Sequence, residues 1–317
     1  MRVLVVRNDK IGDLVLALPA IAALKKAGHF VGLLASPYAA PLLEKDSRVD
    51  LLLTPEAVKA GNFDAALLLW GNWKNAWLAL KAGIPLRIGA SGRPYALSYS
   101  RRLSLRRSEG LRSEADYNLD FVRALGIEAE LSAPRLQLAP EDQKAAQAWL
   151  DGAGLKNPVM LHPGSRGSAQ NWAPERYGEL GAELRACYGV ELLVTAGPGE
   201  AEAALAIAAK LGCKAMTEAM PLRVFAALVA KASLFVSAST GPMHLAAAGG
   251  APTLSLFPPI RAMSPLRWGP LGNRHSVLTP AGLGLAMPAL DGMNYVERIS
   301  VAEAVGAAQF FLKDTRA

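Results

Sequence analysis

Val3-Leu4-Val5-Val6, then Arg7-Asn8-Asp9-Lys10, then Ile11-Gly12-Asp13 is the stretch whose reading decides the fold. Four consecutive apolar residues suit a strand buried on both faces, as in a parallel sheet. A polar turn follows, and residues 11–27 carry a helical pattern that stops at Gly28. The unit then recurs: a strand at 31–35, a helix near 39–44, a strand at 49–53, another at 65–70 and a helix at 75–82. Strand and helix alternating over this length predict a doubly wound α/β domain.

The cadence breaks over residues 89–112. Between Arg87 and Arg112 the chain carries seven arginines against Glu109 alone. A helix is expected at 114–125, a low-periodicity connector at 128–140 with Pro134 and Pro140, and a helix at 141–150. The domain boundary is placed there, giving domains 1–150 and 151–317. A second α/β series begins with a strand at 158–162 and continues with strands at 190–195, 214–216, 234–237 and 253–257. Its helices are expected at 174–188, 200–211, 222–230 and 243–248. Two such domains facing a central cleft are a common arrangement for nucleotide-sugar enzymes. Residues 301–313 read as an amphipathic helix expected to dock back on the first domain.

Composition narrows the function classes. At roughly 150 residues per domain, 317 residues give about two domains. With 51% hydrophobic and 19% charged residues, a sizeable core forms and wholesale disorder is excluded. Lys and Arg number 34 against 27 Asp and Glu, a net charge of +7 that favours an anionic partner. Glycine (29) and proline (21) are frequent enough to serve many tight turns. Two cysteines, Cys187 and Cys213, exclude a disulfide framework and point to a reducing cytosol. The richest apolar run, residues 14–24, is interrupted by Pro19 and is shorter than the ~18 residues of a membrane span. The run after Arg2 is too short for a signal-peptide core. The expectation is a cytoplasmic protein, in contact with an anionic membrane surface at most peripherally.

Four stretches carry chemistry. Asp13 stands early in an apolar helix, after Gly12, where the first strand hands over to the first helix. It either satisfies free N–H groups of the first turn or faces a ligand crevice, where a carboxylate takes a proton from an acceptor hydroxyl. His162-Pro163-Gly164-Ser165, followed by Arg166 and Gly167, is either an ordinary strand-to-helix turn or an anion cradle with a guanidinium fork. Gly197-Pro198-Gly199-Glu200 opens a helix, and Glu200 either accepts ribose hydroxyls or offsets the helix dipole. Ser239-Thr240-Gly241-Pro242-Met243-His244 is a hydroxyl-rich glycine turn leading into a small-residue helix. It suits a diphosphate: hydroxyls, N–H groups, the helix dipole and His244 as donors.

Other chemistries fail by absence. The chain has no G-x-x-x-x-G-K-[ST], no G-x-S-x-G and no H-E-x-x-H. Its four histidines are scattered, no cysteine pair has ligand spacing, and there is no D-x-D, so no metal is expected. Gly282-x-Gly284 lacks the third glycine and the preceding strand of a dinucleotide site.

Taken together, these motifs resemble glycosyltransferase family 9, whose best-known members are the ADP-heptose:lipopolysaccharide heptosyltransferases. The residues that carry the resemblance are Arg7-x-Asp9-x-Ile11-Gly12-Asp13 with Pro19, His162-Pro163-Gly164-Ser165 with Trp172 and Pro174, Gly197-Pro198-Gly199-Glu200, and residues 240–246. The resemblance implies a GT-B fold, with the acceptor on the first Rossmann-like domain and the nucleotide sugar on the second. It implies inverting, metal-independent transfer without a cofactor, from a donor such as ADP-heptose to an anionic envelope glycolipid of the lipopolysaccharide-core kind. Asp13 corresponds to the general base, Thr240, Gly241 and His244 to the donor diphosphate and sugar contacts, and Glu200 to the ribose carboxylate. Ser165, Arg166, Gln170, Gly197, Ser239, Pro242 and Met243 are expected on the donor side with them. Two positions depart from the family pattern: Ser239 stands where Asp precedes Thr-Gly, and Gln170 where Lys stands two residues before Trp. Arg166 is expected to replace that lysine. The departures leave open a different donor sugar, or a weakly active or non-catalytic nucleotide-sugar-binding member. Arg7, Lys10, Arg93, Arg101 and Arg102 are expected to read the acceptor or an anionic leaflet. Nucleic acid is not expected, for want of a reading module.

Overall fold

The computed structural model describes residues 1–272, 274–284, 287–290 and 292–312. They divide into two compact units, Met1–Arg107 with Leu111–Gln137, and Ser108–Gly110 with Leu138–Ala317.

In the first unit β1 (Arg2–Arg7) leads into α1 (Ile11–Val15) and α2 (Leu18–Lys26). The single helix expected over 11–27 is broken in two. Pro19 has no N–H to offer the carbonyl of Val15, and its ring crowds that carbonyl, so the chain restarts with proline in the first turn of α2. β2 (Phe30–Ala35), β3 (Leu51–Leu52), β4 (Ala65–Leu68), α3 (Trp73–Lys81), β5 (Leu86–Ala90), β6 (Arg101–Leu103) and α4 (Glu114–Arg123) follow. The helix expected near 39–44 is a single 3-10 turn, Ala40–Leu43, containing Pro41. β5 and β6 lie inside or beside the stretch where the cadence breaks. Arg87 and Gly89 interrupt the apolar run of β5, and β6 is an edge strand with exposed arginines. Gly89 has a packing reason: a Cβ there would sit 2.0 Å from the Tyr99 ring that covers the strand.

The sheet order is β3-β2-β1-β4-β5-β6, all parallel. Val3, Leu4, Val5 and Val6 pair with β2 on one side and β4 on the other and are buried, as their unbroken apolar run predicts. The order reverses at β1/β4, and the carboxyl ends of these two strands form the switch point where such sheets bind ligands.

The second unit starts with α5 (Pro140–Ala153), then β7 (Val159–His162), α6 (Pro174–Tyr188), β8 (Leu192–Thr195), α7 (Ala201–Leu211) and β9 (Lys214–Met216). α8 (Leu222–Val229), β10 (Leu234–Ala238), α9 (Gly241–Gly249), β11 (Thr253–Leu256), α10 (Pro265–Trp268), β12 (His275–Leu278) and α11 (Val301–Leu312) complete it. Its sheet, β12-β11-β10-β7-β8-β9, repeats the first topology with the reversal at β7/β10. Two expectations shift. The division falls at 137/138 rather than 150, because α5 packs on α8 and Asp142 Oδ2 accepts from Arg223 Nε at 2.7 Å. The closing helix α11 packs within the second unit, against α6 and the β10–β12 edge, where Ala304, Ala308 and Leu312 enter the core. The end of that expected helix, Lys313, lies outside the described residues. Among the described residues no helix is long and apolar enough to cross a membrane, and neither cysteine forms a disulfide.

The Asp142–Arg223 pair is nearly buried, so removing the carboxylate takes a charge-assisted hydrogen bond from a guanidinium in the interior. Asp142→Ala should therefore destabilise the second unit by about 3 kcal/mol in chemical denaturation. Asp142→Ala with Arg223→Met should recover part of that loss.

Candidate active site

The switch point of the first unit is organised around Arg7, the last residue of β1. It is only 2% exposed, and a buried guanidinium requires anions. Asp13, in the first turn of α1, bonds Arg7 Nη2 directly. Glu114, at the start of α4 and itself 1% exposed, takes Nη1 at 3.3 Å. Asp9 approaches Nε at 3.1 Å as an ion pair without hydrogen-bond alignment. Nη1 also donates to the carbonyl of Leu69 at the end of β4, which Arg107 Nη1 shares at 3.1 Å. Arg107 Nη2 lies 3.4 Å from Glu114 Oε1 and 3.3 Å from Asn118 Oδ1. Asn8 and Asn75 exchange paired amide bonds of 3.0 and 2.8 Å across the same strand ends.

Electrostatics follow from this crowding. Burial works against the Arg7 charge, but Asp13, Asp9 and Glu114 outweigh it and hold its pKa above the ordinary arginine value. Burial pushes the Asp9 carboxyl up to about 6. That value already includes the opposing pull of Arg7 and the upward push of the neighbouring Asp13 and Glu114.

Of the acceptor-side residues expected from sequence, Arg7 is therefore a buried organiser of Asp13 and not a surface contact. The Asp13 carboxylate is engaged by Arg7 and not by the N–H groups of its own first turn. Lys10 is exposed at the start of α1. Arg101 and Arg102 lie on edge strand β6, three strand spacings or roughly 14 Å from β1, and Arg101 donates to the carbonyl of Ala124. Arg93 is exposed in the loop after β5. Arg107, Glu114 and Asn75 carry no local sequence signal for this site, since only the fold brings them beside β1.

The switch point of the second unit is built from turns. Glu200 accepts from Arg166 N at 2.8 Å and Gly197 N at 3.1 Å, tying the β7–α6 turn to the β8–α7 turn. Gly164 permits this, because a Cβ there would lie 1.9 Å from a Glu200 oxygen. Arg166 sits at φ +46 ahead of Gly167 at φ +70, and its exposed side chain borders a 540 Å³ pocket with Ser165, Gly199 and Glu200. Ser165 Oγ donates to the carbonyl of Ala169 at 3.2 Å. Gln170 is spent on structure: Nε2 donates to Met293 O at 2.7 Å, and Oε1 accepts from Tyr295 N at 2.9 Å. That amide holds a distant segment in place, which corrects its assignment to the donor.

At β10–α9 Thr240 is the N-cap residue, 4% exposed, and its hydroxyl has no hydrogen-bond partner among the described residues. Ser239 is half-buried beside it, Gly241 and Pro242 occupy the first turn, and the N–H groups there have no carbonyl of their own helix to bond. Met243 is fully buried in the core, so only its backbone can face a ligand. Burial lowers the His244 pKa to about 4. Burial lowers His162 to about 4 as well, against the opposing pull of Glu200 and Thr195, whose Oγ1 lies 3.0 Å from Nδ1. Both imidazoles are neutral at neutral pH, and His244 can donate one N–H without carrying charge. Among the described residues no group of three or more His, Cys, Asp or Glu is placed to hold a metal ion.

The titrations give opposite pH signs. Unfolded imidazoles protonate near 6.5, so burying His162 and His244 neutral loses stability as pH falls from 6.5 toward 4. Folded Asp9 takes its proton near pH 6 and the unfolded residue only near 3.8, so Asp9 adds stability as pH falls through that window. Asp9→Asn removes the compensation. Its thermal midpoint should fall more steeply than the parent's between pH 6 and 4, whereas parallel profiles would put that proton elsewhere.

Comparison with known proteins places this geometry. Residues 54–283 match the model of glycosyltransferase family 9 (heptosyltransferase). A putative glycosyltransferase of Haemophilus influenzae is 32% identical over 343 residues, covering 99% of this chain and 97% of that protein. Among solved structures, a family 9 glycosyl transferase from Veillonella parvula superposes with a TM-score of 0.85 at 20% identity, over 99% of this chain and 97% of that one. The E. coli ADP-heptose lps heptosyltransferase II gives 0.81 at 20% identity, with full coverage of both chains. At that identity the likeness establishes the two Rossmann-like units of the GT-B class. With the family model matched over most of its length, the chain belongs to glycosyltransferase family 9 and is a glycosyltransferase.

Proposed function

We propose that this chain transfers a heptose-like sugar from an ADP-sugar to a hydroxyl of a lipopolysaccharide-core or related envelope glycolipid, with inversion. In this reading the protein works at the cytoplasmic face of the membrane as a peripheral enzyme. The observation that carries it is the pairing of chemistries at two equivalent switch points. One presents a carboxylate, Asp13, fixed by a buried guanidinium; the other presents a helix N-terminus with the buried, unpartnered hydroxyl of Thr240. The ADP-heptose in the name of the E. coli structural neighbour supports the choice of donor.

Asp13 takes the proton of the acceptor hydroxyl, whose oxygen attacks the anomeric carbon as the bond to the diphosphate breaks. One displacement inverts that carbon. Charge developing on the departing phosphate meets the α9 N–H groups, the Thr240 hydroxyl and the neutral His244 N–H, without a divalent ion. Glu200 keeps lone pairs beyond its two backbone bonds and receives the ribose hydroxyls at the edge of the 540 Å³ pocket. Arg166 borders that pocket and supplies the cation that Gln170 does not. Ser239 in the place of a carboxylate favours, as the second reading, a donor sugar other than heptose.

Calorimetric titration with ADP, GDP and UDP tests the donor reading. ADP should bind at least tenfold more tightly than the other two, and a preference for UDP or GDP would overturn the assignment. Thr240→Val should weaken ADP binding by roughly ten- to a hundredfold, the value of a hydrogen bond to a charged group, without lowering the thermal midpoint.

A further inference from the structure

The charge of this protein is segregated. Residues 65–108 hold eight Lys and Arg and no Asp or Glu, while the chain as a whole nets +7, so everything outside that stretch is one charge negative. The segment folds as one continuous part of the first unit: β4, α3, β5, the 3-10 turn Pro94–Ser98 and β6. Some of its cations are committed. Arg107 pairs with Glu114, and Arg87 is wrapped by the carbonyls of Ile84 and Ser98. Lys74, Lys81, Arg93 and Arg102 are exposed.

The same segment exposes large apolar side chains that a folded surface ordinarily covers. On α3, Trp73 is 65% and Trp77 56% exposed, with Leu80 beside them, and Leu97 on the adjoining 3-10 turn is 76% exposed. At about 100° per residue, Trp73, Trp77 and Leu80 share a stripe about 60° wide, and Lys74 and Lys81 border it on one side. Lys81 Nζ lies 5.3 Å over the Trp77 ring. The inward face of α3 is Asn75, Ala76 and Ala79, so the stripe lies outside the helix's buried face. Trp73 is steadied by the edge of Tyr95, 5.8 Å between centroids.

We propose that this face of α3 is a docking surface for an anionic lipid bilayer: Trp73, Trp77, Leu80 and Leu97 enter the headgroup boundary while Lys74, Lys81 and the neighbouring arginines neutralise lipid charge. Indole rings with flanking lysines prefer the interface between water and acyl chains, and the absence of any acid across 44 residues matches a negative leaflet. The proposal deepens the reading of a glycolipid acceptor, and moves the membrane contact from the arginine stretch to α3.

Co-sedimentation with vesicles of phosphatidylcholine, with or without phosphatidylglycerol, tests it on the full chain. Binding should require phosphatidylglycerol, weaken with salt and bring a blue shift of tryptophan emission. Lys74→Glu with Lys81→Glu should reduce partitioning by at least roughly tenfold, and Trp73→Ser with Trp77→Ser should abolish the blue shift. Both variants should keep the parent's ADP affinity and thermal midpoint. Failure of the parent to bind anionic vesicles, or binding unchanged in both variants, overturns the proposal. So does a dimer in sedimentation velocity that Trp73→Ser with Trp77→Ser dissociates, because the face then covers a second copy. A parent that binds vesicles but no nucleotide sinks the transferase reading and leaves the docking surface standing.

Discussion

A guanidinium can be buried only with anions around it, and Arg7 is buried at the carboxyl end of the central strand of the first sheet. Three carboxylates meet it: Asp9 from the turn, Asp13 from α1 and Glu114 from α4, 107 positions along the chain. The requirement fastens α4 to the switch point and draws in Arg107, because Glu114 would otherwise crowd two further acids around one cation. Orientation of Asp13 follows from it. Burial beside the same cluster raises the Asp9 pKa to about 6 against the pull of Arg7, with the charges of Asp13 and Glu114 adding to the rise.

The second sheet repeats the strand order of the first but fills its switch point differently. There the polar groups are the N–H groups at the start of α9, one buried hydroxyl and two imidazoles kept neutral by burial. A site whose positive character comes from dipoles carries no buried charge when empty, yet it favours an anion that arrives. In the proposed transfer this division suits the chemistry. The half that removes a proton holds a fixed negative group, and the half that receives a leaving phosphate holds fixed positive dipoles.

Much of this was legible in the sequence, for identifiable reasons. Strands buried on both faces, such as residues 3–6 and 234–236, announce themselves as unbroken apolar runs, and the glycine turns at 164, 197 and 241 mark where helices open. β5 and β6 were hidden because packing of Tyr99 needs Gly89 and an edge strand tolerates arginines. The break at Pro19 was overridden in the reading by the apolar periodicity on either side of it. Site residues on the strand-to-helix turns could be named in advance; Glu114 and Arg107 could not, since nothing local links them to residue 7. Gln170 shows the opposite limit. A polar residue beside a glycine turn reads as a ligand contact, and only the fold shows its amide holding Met293 and Tyr295.

The central claim is that Asp13 acts as the base in a transfer whose donor is held elsewhere, by the α9 turn. Single-turnover formation of ADP from an ADP-sugar, in the presence of acceptor glycolipid, measures it in the Asp13→Asn chain. The rate should fall by about a thousandfold, within the usual range for a lost general base, with the dissociation constant for ADP unchanged. A rate within a few-fold of the parent's, or loss of ADP binding together with turnover, would contradict it.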